Sequence, residues 1–137
     1  MRTPQEILEE SITIAVVGAS RDPEKVAHSV PAQLQRHGWR IIPVNPYVDE
    51  IFGERAYPTL ADIPEPVDLV NVFRPSEQAA EVVRQAAGIG ARAVWLQEGV
   101  VSAQARQIAT EAGMDYVENH CIAVARAAFA LTRRPNP

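Results

Sequence analysis

Cysteine is nearly missing from this 137-residue chain. Cys121 stands alone, which excludes a disulfide framework, and three histidines far apart in sequence with no second cysteine offer no zinc-ligand spacing. No apolar run approaches the roughly 18 residues that cross a bilayer. Met1-Arg2-Thr3-Pro4-Gln5-Glu6 leads into no apolar signal core. A cytoplasmic address without membrane contact is therefore expected. Lysine is equally scarce, Lys25 being the only one, and a net charge of -4 argues against a general nucleic-acid binder, which relies on many cationic phosphate contacts.

What is present is apolar residue, 47% of the chain, enough for one domain over residues 1–137 with a core of its own. The charge is unevenly spread. Residues 18–46 hold Arg21, Lys25, Arg36 and Arg40 against Asp22 and Glu24, a net of +2, while the remainder nets -6. A positive field is expected around the loop that follows Gly18.

Thr3-Pro4-Gln5-Glu6 reads as an N-cap, a first-turn proline and an N3 glutamate, so a cap helix is predicted over 4–10, within an N-terminal segment 1–11. Strands are predicted over 12–17, 40–44, 68–72, 91–96 and 115–117. Helices are predicted from Ser29 with Pro31 to Gly38, from a Ser76 cap to Gly88, from a Ser102 cap to Gly113, and over 122–131. A short ribbon or irregular segment fills 47–58, and residues 132–137 are expected to fray. Strands alternating with helices define an α/β fold. The expectation is a Rossmann-like, doubly wound parallel sheet of about five strands, order 3-2-1-4-5, in three α/β/α layers.

Ligands of such sheets bind beyond the carboxyl ends of the strands. The first strand breaks into Gly18-Ala19-Ser20-Arg21, with Lys25 and His28 following. Glycine there either lets phosphate approach backbone N–H groups or simply makes a strand-to-helix turn. Arg21 and Lys25 are either phosphate contacts or solvated charges; Ser20 either meets phosphate or satisfies the turn; His28 either donates to phosphate or caps the next helix. The other strand ends carry Val44-Asn45-Pro46, Val72-Phe73-Arg74-Pro75, Gln97-Glu98-Gly99 and Asn119-His120-Cys121. Arg74 is suited to stacking on adenine, holding a phosphate, or anchoring its loop to Glu98.

An NAD site would show G-x-G-x-x-G at the first turn and an acid at the end of the second strand. Only Gly18 is present, and the second strand ends in Asn45-Pro46, where a 3'-phosphorylated ribose would meet no repulsion, although Asp49 and Glu50 are close in sequence. His120 and Cys121, as neighbours in a strand, would point to opposite faces, and a lone cysteine is usually a small buried hydrophobe. No catalytic residue and no metal ligand is assigned.

The segments Gly18-Ala19-Ser20-Arg21-Asp22-Pro23-Glu24-Lys25-Val26, Val44-Asn45-Pro46, Gly53 with Tyr57-Pro58-Thr59-Leu60, Ile63-Pro64-Glu65-Pro66-Val67-Asp68, Val72-Phe73-Arg74 and Ala93-Val94-Trp95-Leu96-Gln97-Glu98-Gly99-Val100 resemble, in this order, the small stand-alone CoA-binding domain proteins. These are similar in fold to the CoA-binding domain of the succinyl-CoA synthetase alpha subunit. The resemblance covers roughly residues 12–129 and implies a Rossmann-like sheet holding CoA, the first loop on the phosphates and the Val44-Asn45-Pro46 and Val72-Phe73-Arg74 loops near the nucleotide. In that family a basic residue often follows the asparagine-proline pair. Here Tyr47 does, and Asn119-His120-Cys121 stands where the family resembles Asp-Arg-Cys.

The cofactor expected is therefore coenzyme A or a short acyl-CoA, at Gly18, Ala19, Ser20, Arg21, Lys25, His28, Asn45, Pro46, Val72, Phe73, Arg74 and Gln97, the last at the pantetheine end. Function is expected to be binding without intrinsic catalysis, with a protein partner of unknown identity. The alternatives are a subunit of an acyl-CoA ligase or other thioester-handling enzyme, and an NAD-linked sensor.

Overall fold

The computed structural model describes residues 1–133. Five parallel strands form its centre: β1 (Thr13–Val17), β2 (Arg40–Val44), β5 (Leu69–Val72), β6 (Ala93–Leu96) and β7 (Asp115–Val117). A two-stranded ribbon, β3 (Glu50–Ile51) and β4 (Glu54–Arg55), and a 3-10 turn (Leu60–Asp62) lie between β2 and β5. Phe52 and Gly53, both at positive φ, make the ribbon's turn. Helices α1 (Pro4–Glu10), α2 (Val26–Arg36) and α5 (Ile122–Ala128) share one cluster with Ile14, Val16, Leu69 and Trp95 of the sheet. Helices α3 (Ser76–Gly88) and α4 (Ala103–Glu111) share the other with Ala15, Val70, Val72 and Leu96. Alternation along each strand thus feeds two cores, giving three layers. None of the described helices is long and apolar enough to cross a membrane.

The strand order corrects the expectation. It is β2-β1-β5-β6-β7, so in the order of the five parallel strands the sheet reads 2-1-3-4-5 and not 3-2-1-4-5. The reason is in β2. Pro43 lacks the N–H that a second neighbour's ladder would need, and proline in a sheet belongs on an edge. The vacant edge is covered instead by the chain's own return, with the Tyr57 N–H donating to Pro43 O at 3.0 Å and the Asn45 N–H to Tyr57 O at 2.9 Å. The chain then crosses to the other side of β1, burying Leu60 and Val67 in the α3 and α4 core. Right-handed crossovers are compatible with both orders.

Helix α1 has the capping box read from Thr3 and Glu6. Helix α2 starts earlier than predicted, at Val26 with Lys25 as N-cap, because Pro31 is accommodated inside it. Proline removes the N–H that would bond to Ala27 O. That carbonyl accepts the Ser20 N–H at 3.1 Å instead, so the proline ties the first loop to the helix. Pro75, not Ser76, is the N-cap of α3, and the Ser76 hydroxyl accepts the Val101 N–H at 3.1 Å. At the C-terminus, the Arg133 N–H donates to His37 O at 2.7 Å and its guanidinium to Glu9 O at 2.8 Å. The remainder of the tail expected to fray, 134–137, lies outside the described residues.

Candidate functional site

β1 changes direction of the strand order, having β2 on one side and β5 on the other. Clefts form beyond such a point because the loops from its two neighbours diverge. Here a cleft of about 440 Å³ is lined by Gly18, Asn45, Pro46, Tyr47, Arg74 and Gln78, among others.

Gly18 is required twice over. Its φ is +88°, and a Cβ there would collide with the Phe73 carbonyl oxygen and approach Arg74 Cδ to 2.9 Å. The ends of β1 and β5 are in contact only because the side chain is missing. The Arg74 stem lies across this glycine, and its Nε donates to Gln78 Oε1 at 2.9 Å, so its anchor is α3 and not Glu98. The terminal guanidinium nitrogens have no partner among the described residues.

The first loop is stiffened from within. The Gly18 N–H donates to Val44 O at 3.1 Å and the Ser20 N–H to Ala27 O, leaving the N–H groups of Ala19 and Arg21 without a partner among the described residues. The Ser20 hydroxyl accepts the Asp22 N–H at 3.0 Å, and Asp22 Oδ1 the Glu24 N–H at 3.0 Å. His28 Nδ1 lies 2.7 Å from Ser20 O and its ring 4.9 Å from that of Phe52, pinning the loop to the ribbon. Arg21 and Lys25 project from this frame, exposed and in no ion pair among the described residues.

Asn45 couples the first two loops. Its Nδ2 donates to Ala19 O at 3.0 Å and its Oδ1 accepts the Tyr47 N–H at 2.8 Å. Asp49 and Glu50, close to it in sequence, line a neighbouring cleft of about 490 Å³ that also contains Arg55 and shares Asn45, Pro46 and Pro58 with the first.

The expected residues therefore separate. Gly18, Asn45, Pro46 and Arg74 meet on the cleft, with Ser20 and Arg21 on the adjoining loop, Lys25 at the N-cap of α2 and His28 in its first turn. Ala19 is 1% exposed and offers backbone. Val72 is wholly buried on the α3 face, and Phe73 is half-buried on the other. Gln97 is buried, and its Oε1 accepts the Ile122 N–H at 3.3 Å, so this side chain joins β6 to α5.

Two readings are corrected. The positive segment is not a local field: Arg40 sits at the opposite end of β2, bound to Glu65 and Glu54, and Arg36 is in the last turn of α2. And His120 and Cys121 follow β7 in a turn, not a strand, with Asn119 at φ +53°. They line one shallow cleft of about 280 Å³ with Glu98 and Asn119. No hydrogen bond joins the imidazole to the thiol; the His120 ring lies against Trp95, centroids 5.9 Å apart.

Sequence reasoning missed the wall formed by Gln78 and Glu81 of α3 and by Pro58 and Thr59. Gln78 and Glu81 occupy ordinary solvent-facing positions of α3, Pro58 and Thr59 lie in the connection before the 3-10 turn, and only the strand order brings them to Gly18. Parallel sheets of this kind hold ligands at the switch point, and here that point carries a glycine turn and cations without a carboxylate partner among the described residues. Residues 12–127 match the CoA binding domain family, and the chain belongs to it.

Among its relatives is an uncharacterised protein of Bacillus subtilis, YneT, 42% identical over 123 residues that span 90% of this chain and 91% of the relative. A solved Thermus thermophilus structure, cell-free ID.343, is 36% identical with a TM-score of 0.87, covering 93% of this chain and 98% of its own. An ADP-forming acetate–CoA ligase of Archaeoglobus fulgidus is 35% identical over 80 residues, 57% of this chain but only 12% of the ligase. The chain is thus homologous to one region of that much longer enzyme.

Proposed function

We propose that this chain binds coenzyme A or a short acyl-CoA at the carboxyl edge of its sheet, in the cytoplasm, and that it has no catalysis of its own. The adenosine is assigned to the cleft between β2 and α3. The diphosphate is assigned to the N–H groups of Ala19 and Arg21 and to the cations Arg21, Lys25 and Arg74. Such contacts are charge-assisted and depend on close approach, which a glycine at Gly18 permits. The pantetheine then runs past Phe73 toward the β6 end. The observation that carries the reading is the convergence of Gly18 with the uncommitted Arg74 in a chain of this family.

NAD fits less well because Asn45 spends its side chain on Ala19 O and the Tyr47 N–H, and the turn itself presents no carboxylate to a ribose diol. The bound cofactor would serve a protein partner, by sensing or delivery. Thermal denaturation with CoA, desulfo-CoA, NAD and AMP tests the assignment. At 100 times its dissociation constant a ligand adds about 2.7 kcal/mol to stability. CoA and desulfo-CoA are expected to raise Tm alike and NAD much less. No shift at millimolar CoA would end the proposal.

A further inference from the structure

The two clefts that share Asn45, Pro46 and Pro58 each contain a single cation: Arg74 in the one between β2 and α3, Arg55 in the one beside the ribbon. Arg55 is held in place by the covering of the β2 edge. Hydrogen bonds from Tyr57 to Pro43 and from Asn45 to Tyr57 lock the extended segment after β4 against the end of β2, two residues from Arg55. The guanidinium lies 5.2 Å from the centre of the Tyr57 ring.

This arginine is exposed and in no ion pair among the described residues, although Glu50 is its cross-strand partner and Asp49 lines the same cleft. An aromatic face orients the cation without neutralising it. Arg40, at the other end of the neighbouring strand, is the opposite case, with Glu65 and Glu54 both on its guanidinium.

Coenzyme A carries phosphate in two places, a diphosphate on the 5'-oxygen of its ribose and a monophosphate on the 3'-oxygen. The adenosine is assigned to the cleft that shares Asn45, Pro46 and Pro58 with the cleft of Arg55, so the space adjoining the proposed ribose contains this cation, whereas Tyr47 offers no charge. We propose that Arg55 holds this 3'-phosphate, and so makes the site selective for 3'-phosphorylated adenine nucleotides. The inference rests on the reading of the cleft as a CoA site. Asp49 and Glu50 line the same cleft and would repel a phosphate, and Arg55 is the charge there that offsets them.

Calorimetric titration of CoA and of dephospho-CoA, which lacks only the 3'-phosphate, into wild-type protein and the Arg55→Ala and Arg55→Lys variants tests it. Wild type is expected to favour CoA by about tenfold to a hundredfold, the range of one charge-assisted contact. Arg55→Ala should bring that ratio close to one while leaving the dephospho-CoA affinity unchanged, which also shows the variant folded; Arg55→Lys should keep part of the ratio. An unaltered ratio in Arg55→Ala overturns the assignment, as does equal weakening of both ligands. Equal affinities in wild type overturn it while leaving the CoA reading intact, and binding of neither ligand overturns both.

Discussion

The two ends of this sheet use arginine in opposite ways. At the amino end, Arg40 is closed against Glu65 and Glu54, Arg2 against Asp115 and Glu10, and Asp68 accepts the N–H groups of Ile12 and Thr13. At the carboxyl end, Arg21, Lys25, Arg55 and Arg74 have no carboxylate partner among the described residues, and the backbone is drawn close around Gly18. Charge at the amino end has been used in building the fold. Charge at the carboxyl end is available to a ligand. Composition cannot distinguish these states, because both ends use the same residue types.

The largest effect that would sharpen this contrast is expected at glycine. Gly18 and Gly99 share a φ of +88°, but nothing lies within 4 Å of a Cβ on Gly99. Gly99→Ala should cost about 1–3 kcal/mol, the strain of the conformation alone. Gly18→Ala adds the collision with the Phe73 carbonyl and should cost clearly more, with CoA binding lost. Urea denaturation of the two variants measures the difference, and equal losses would mean that the ends of β1 and β5 do not depend on close approach.

The charges come next. Lys25→Ala and Arg74→Ala should each weaken CoA by about 1.5–3 kcal/mol with stability changed by less than about 0.5 kcal/mol. Arg40→Ala should leave affinity unaltered. Weakening by Arg40→Ala equal to that of the other two would erase the distinction between the ends.

A smaller effect is expected at Asn45→Asp, which replaces the donor on Ala19 O with a carboxylate oxygen. About 1 kcal/mol of stability should be lost, and CoA and dephospho-CoA should weaken together, because the change loosens the loop rather than reading the ribose. A selective loss of CoA in parallel titrations would assign Asn45 to the 3'-phosphate instead.

The smallest effect concerns pH at the amino end. The hydrogen bond from Arg40 holds the Glu65 carboxyl below its usual range. Its stabilisation is therefore complete above the unfolded carboxylate pKa and lost as pH falls through the lower folded value. Because the pair is partly exposed, it contributes less than about 1 kcal/mol. Glu65→Gln should flatten the acid limb of a stability–pH curve by that amount; an unchanged limb would show the pair to be inert.

Much of this was legible beforehand. The period of the apolar residues located all five parallel strands, and Thr3 with Glu6 announced the cap of α1, because these signals are local. The strand order was also written in the sequence, at Pro43, whose missing N–H marks an edge strand and is incompatible with a central position for β2. Gly18, Asn45, Pro46 and Arg74 could be read as strand ends on one edge of the sheet, but the contact of Arg74 with Gly18 follows from β5 pairing with β1. The walls from α3, the pinning of His28 by Phe52 and the cation at Arg55 could not be read. Each depends on where the chain goes after β2, a non-local outcome of packing Leu60 and Val67 beneath α3. The neutralisation of Arg40 by Glu65 was hidden for the same reason.

The most direct test of the account is to titrate CoA into isotopically labelled protein and follow the backbone amides by NMR. The account predicts saturable shifts concentrated at Gly18 to Arg21, Lys25, Asn45, Tyr47, Arg55, Arg74 and Ser76 to Gln78, with Arg2, Arg40 and Asp68 unmoved. Shifts centred on the amino end, or none at millimolar CoA, would contradict it.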